Sequence, residues 1–157
     1  MGDTTMTHLE MVTWAKEQAV KAFNANPERN VLQEMYMEMA WEITSLNNDL
    51  EEWGKKFQAE PAYSFEWSDQ AMDNAARIEL YCQILSAMFD AEKKGENPAD
   101  CLGAWIDETT KKLIQFYDYD ASRTGGAKSL MMGKKGYAAS RLLEKAGYWL
   151  RKLNESN

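Results

Sequence analysis

Between Leu32 and Phe57, apolar residues return in alternating steps of four and three: Leu32, Tyr36, Met39, Ile43, Leu46, Leu50, Trp53 and Phe57. Only an α-helix keeps those positions on one face, because its 3.6-residue turn nearly matches the 3.5-residue spacing, whereas a strand would scatter them over both faces. A stripe sustained over about seven turns cannot be buried by the helix that carries it. It demands a partner along its whole length, either other helices of one bundle or a second subunit. This constraint sets the fold class: all-α, a single-domain bundle of about five main helices with a long second helix.

The remaining helices are bounded by local chemistry. Thr7-His8-Leu9-Glu10 has the form of a capping box and opens a first helix to about Phe23. Asn26-Pro27-Glu28 supplies a cap, a proline and an early acid for the second helix, which Pro61 closes after about Phe57. Residues 59–66 then form a loop. Ser68-Asp69 cap a third helix reaching about Lys94, with Ala75, Ile78, Cys82, Leu85 and Phe89 inward and Gly95 as its stop. Asn97-Pro98-Ala99-Asp100 opens a fourth, to about Tyr117. Gly125, Gly126, Gly133 and Gly136 mark 118–136 as a flexible connection with one helical turn at 129–132. The last helix spans about Tyr137 to Leu153. Its inward face is Ala139, Leu142, Leu143, Ala146, Trp149, Leu150 and Leu153. Trp53, Trp105 and Trp149 fall at core positions.

Composition narrows the function classes. With 157 residues the chain fits one domain, 1–157. It has two cysteines and one histidine, so a zinc site built from those types lacks its four ligands. Isolated cysteines fit a reducing compartment, and no apolar run is long enough for a membrane span; both favour a cytoplasmic location. No cofactor motif is present. GxSxG, GxGxxG and the P-loop are absent, and Gly125-Gly126-Ala127-Lys128-Ser129 lacks the upstream glycine and strand of a phosphate loop.

Charge is sorted along the chain. Residues 1–110 carry 21 acids against 8 bases, and residues 111–157 carry 4 against 10, for an overall −7. Glu34, Glu38 and Glu42 recur at every fourth position, so they form one stripe on the second helix. Like charges at that spacing repel by a few tenths of a kcal/mol, roughly the scale of helix-surface pairs. Asp49 extends the acidic run. On the last helix Lys134, Arg141, Lys145 and Lys152 lie within about 20° of one line with Tyr148 beside them. Either the two stripes meet inside the monomer, or one or both face outside partners. Met37 and Trp41 lie off the seam beside the acidic stripe. They pack against the first helix in a layered bundle, or they form an apolar anchor with an acidic rim.

Three functional expectations follow. The first is a non-enzymatic interaction protein that binds or inhibits a macromolecular partner, meeting it with Glu34, Glu38, Glu42, Met37, Trp41 and Asp49. In size and charge the chain is similar to phage-encoded inhibitors of host enzymes and defence complexes. The second is a nucleic-acid-contacting accessory protein using Arg123, Lys128, Lys134, Arg141, Lys145, Tyr148 and Lys152 on phosphates. The third sets Asp69 and Asp73 against the glutamate stripe as Mg²⁺ ligands, in the manner of all-α nucleotide pyrophosphohydrolases. Their Glu-x-x-Glu and Glu-x-x-Asp pairing is not reproduced; Glu66-Trp67-Ser68-Asp69 matches one half alone. No residue is singled out as catalytic or metal-binding, and homo-oligomerisation through the long seam is a further expectation.

Overall fold

The computed structural model describes residues 6–28, 30–122 and 127–155, and their side chains except at 117–122 and 127–130. The elements are α1 (His8–Ala25), α2 (Val31–Ala59), a 3₁₀ turn (Pro61–Tyr63), α3 (Ser64–Lys94), α4 (Pro98–Ser122) and α5 (Ala127–Glu155). No strand occurs among the described residues, and the architecture is an all-α bundle. Helix α2 is 29 residues long, but α3, with 31, is longer.

Several boundaries differ from the sequence expectation, each for a local reason. The capping box of α1 forms as expected: the Glu10 amide donates to Thr7 Oγ1, and the Thr7 amide donates to Glu10 Oε1. Asn26 ends α1 rather than starting α2. The cap of α2 is Asn30, whose Oδ1 accepts from the Gln33 amide while its Nδ2 donates back to the Ala22 and Asn26 carbonyls. One side chain thereby ties the two helix ends together. The expected loop at 59–66 is mostly helical, because Glu60 Oε1 accepts from the Ala62 amide and Pro61 leads a 3₁₀ turn straight into α3. Asn97 Oδ1 accepts from the Ala99 amide and opens α4 as expected. The connection expected over 118–136 is much shorter: α4 continues to Ser122 and α5 starts at Ala127. Gly133 and Gly136 sit inside α5, and Gly136 is buried. Ala138 and Ala139 are buried as well, so these glycines lie within a packed helix, which a breaker count does not distinguish from a loop.

Packing follows the chain order at both ends. α1 lies against α2 and α4 against α5, while α3 touches every other helix. The seam of α2 buries Tyr36, Met39, Ile43 and Leu46 inside the chain, so this stretch is not available for oligomerisation. Towards the far end the burial fades, and Phe57 is exposed, stacked on Trp67. On α3 the expected stripe is only partly right: Leu85 is buried, whereas Ala75 is exposed. Its buried residues Ala76, Leu80, Tyr81, Ile84, Leu85, Met88 and Ala91 span a wide arc, as a helix flanked on several sides requires. Trp105 and Trp149 are buried as expected, and Trp53 is half-buried. Asn74, also buried, donates through Nδ2 to the Leu46 carbonyl at 3.2 Å and to Asp49 Oδ2 at 2.9 Å, fixing the register of α2 on α3.

Candidate interaction surfaces

The acidic stripe divides between two surfaces. Glu38 and Glu42 point towards α5 and α3, where Lys145 Nζ meets Glu38 at 2.6 Å and Arg77 meets Glu42 at 3.3 Å. Asp49 is held by Asn74. Thus three of the four acids expected to meet an outside partner are bonded within the chain. The basic line of α5 is engaged in the same way: Lys134 pairs with Asp69 at 3.1 Å and its neighbour Lys135 with Glu79 at 3.2 Å. Lys152 lies near Glu155, and with Arg151 it approaches the Tyr148 ring. Arg123 and the side chain of Lys128 fall outside the described residues. The two stripes meet directly at Glu38–Lys145, and the other paired charges of both stripes are held mainly by α3. This explains why like charges tolerate four-residue spacing on α2: cations from neighbouring helices sit opposite them.

Between α2 and α5 a groove of about 700 Å³ is floored by α3. Its walls include Glu34, Glu38 and Glu42 on one side and Tyr137, Arg141, Lys145 and Tyr148 on the other, with Asp73, Arg77 and Tyr81 below. Arg141 donates to the Tyr137 hydroxyl at 3.2 Å. Tyr81 is only 7% exposed, and burial, aided by Glu42, pushes its phenol up to about 12. Arg77, Tyr81 and Tyr137 were not singled out from the sequence. Arg77 carried a signal, as an isolated base in an acidic stretch; the tyrosines carried none. Asp69, expected opposite the glutamates as a cation ligand, instead pairs with Lys134. Among the described residues no group of three or more His, Cys, Asp or Glu side chains converges as a metal-ligand set. Burial raises both thiols, Cys82 to about 11, which leaves little nucleophilic thiolate at neutral pH.

The second surface is apolar. Met37 and Trp41 are not buried under α1; they are 44% and 65% exposed. Leu9, Val20 and Phe23 on α1 are exposed as well. Helix periodicity places these five on one outward face. Trp14, edge-on to Phe89, and Lys21, paired with Glu92, mark the side of α1 that meets α3. Leu9, Val20 and Phe23 lie roughly 100–180° around the helix from those residues. On α2, Met37 and Trp41 turn away from the groove wall of Glu38 and Glu42. Trp14 also meets Tyr36 across the antiparallel α1–α2 pair, with ring centroids 5.5 Å apart. Five residues back from Trp14 is Leu9 and five on from Tyr36 is Trp41, which brings those two to the same level. Glu10, Glu17 and Glu34 are exposed nearby, and Lys16, exposed on the same side of α1, lies between Leu9 and the Val20/Phe23 end. No helix among the described residues is long and apolar enough to cross a membrane. No family model, curated protein or solved structure matches the chain.

Proposed function

We propose that the protein is a non-enzymatic interaction module that binds, and by binding can inhibit, a protein partner through the outward face of the α1–α2 hairpin. The observation that carries this is Trp41, 65% exposed beside Met37 and level with Leu9. Exposed apolar residues such as Leu9, Met37 and Trp41 beside charged ones have the anatomy of a recognition site, with tryptophan the commonest energetic anchor. The rim specifies the partner's chemistry. Glu10, Glu17 and Glu34 attract a segment bearing Lys or Arg around an apolar core, and they repel a second copy of the same acidic face. The other two expectations draw less support. Lys134, Lys135 and Lys145 already have carboxylate partners, so releasing them to phosphates would break ion pairs. The glutamates proposed for Mg²⁺ face Arg77 and Lys145.

A photo-crosslinking amino acid placed at position 37, beside Trp41, and for comparison at Lys112 on α4, tests the proposal. Position 37 should capture a defined protein that position 112 does not. With that partner purified, Trp41→Ser should weaken binding at least tenfold, roughly the scale of a tryptophan hot spot. Added salt should slow association, as the acidic rim requires. Equal labelling at both positions, or unchanged affinity in Trp41→Ser, rejects it.

A further inference from the structure

We propose that the groove between α2 and α5 is a second binding site, for a small zwitterion of net positive charge, specifically a dibasic α-amino acid such as L-arginine. It shares Glu34 with the α1–α2 face but is otherwise built from other residues, and it does not depend on a protein partner.

Two groups without a carboxylate partner define the anion end. Tyr81, on the floor, is 7% exposed yet its hydroxyl has no hydrogen-bond partner among the described residues. Tyr81 lines the groove together with Glu38, Glu42, Arg77 and Arg141. The hydroxyl is not one of the buried unpaired polar atoms, so it is reachable from the groove and free to donate to a ligand there. Arg141 is the second group. Lys145 and Arg77 each hold a carboxylate, whereas Arg141 only donates to the neutral Tyr137 hydroxyl. A guanidinium next to a phenolic O–H suits a carboxylate, which Arg can take through two parallel N–H bonds.

The remaining carboxylates define the cation end. Five line the groove against three cations. Two of the five are paired; Glu34, Asp73 and Glu144 have no ion pair among the described residues. A ligand carboxylate at Arg141 would therefore leave its ammonium and side-chain cation facing unpaired acids, with Tyr148 offering a ring face. The balance of charge decides against the neighbouring classes. A phosphate dianion would meet a net negative wall, and a simple diamine would set a cation against Arg141 with nothing to occupy Tyr81. The volume, about 700 Å³, falls in the range typical of small-molecule sites, roughly 300–1,000 Å³.

Calorimetric titration of the full chain distinguishes these classes without any variant. L-arginine or L-lysine should bind. Agmatine, which lacks the carboxylate, and L-arginine methyl ester, which masks it, should bind at least tenfold more weakly, roughly the loss expected for a charge-assisted pair. Inorganic phosphate should not compete. Tyr81→Phe should weaken L-arginine binding several-fold and Arg141→Met at least tenfold, roughly as loss of hydrogen bonds to a charged group predicts, with unchanged circular dichroism. Agmatine binding as tightly as arginine, displacement by phosphate, or no binding of either amino acid tighter than about 1 mM would each overturn the proposal.

Discussion

Tyr81 is the residue whose surroundings do most to set it apart from its sequence. Its folded phenol is pushed up to about 12 by burial first and by Glu42 second, against an ordinary value of 10.0. The folded chain therefore holds that proton more tightly than the unfolded one. The stability this represents is complete below pH 10 and is lost as pH rises from 10 towards 12. Tyr36 is raised in the same direction by its own burial, so it adds to the alkaline loss. Thermal melts across this range should show Tyr81→Phe losing less stability than the parent protein while matching it near neutrality. An identical alkaline slope would contradict the assignment. Little of this was legible beforehand. Tyr81 follows directly on Leu80 and precedes Cys82, so its own spacing gave no hint that it would floor a groove. Trp41 was legible as a choice between two faces, and only the packing of α1 decided it.

At the level of the helices, periodicity worked best where one side of a helix is buried. The α2 seam from Tyr36 to Leu46, the capping box of α1, the Gly95 stop and the start of α4 could all be read from spacing and cap chemistry, because each depends on residues within one or two turns. It failed where burial comes from several neighbours, as on α3, or where glycine lies within a packed helix, as in α5. The glycines at the end of α3 and within α5 also separate into kinds. Gly95 has φ +70, so a side chain there is strained whatever the space. Gly147 is within α5, and a Cβ added there meets nothing within 4 Å. Gly147→Ala should therefore raise stability by about 0.5–1 kcal/mol, as the entropy of a mid-helix glycine predicts, whereas Gly95→Ala should lower it by about 1 kcal/mol. Urea denaturation of the two variants checks both signs.

For the molecule as a whole, the separation of charge along the chain turns out to be a means of self-assembly. The acidic first two-thirds and the basic last third meet at Glu38–Lys145, Asp69–Lys134 and Glu79–Lys135. Each pair is partly solvated, so each contributes about 0–1 kcal/mol, and their value lies more in orienting α5 than in stabilising it. The sequence made the complementarity visible but not its destination, since facing stripes can close within one chain or between two. With the long seam buried internally and the remaining acidic rim at −7 net charge overall, the protein should sediment as a monomer at low ionic strength. A dimer that persists at micromolar concentration would show that the exposed α1–α2 face recognises its own copy.

The position of α3, in contact with all four other helices, has a kinetic corollary. The two outer pairs join segments adjacent in the chain, so each closes over a short connection at small entropic expense and can form early. Neither pair has a complete interior until α3 is inserted between them, and the ordering of that one helix is what commits the chain to its native topology. Native-state hydrogen exchange should find the slowest amides around Ile84 and Leu85, exchanging only when the entire molecule opens.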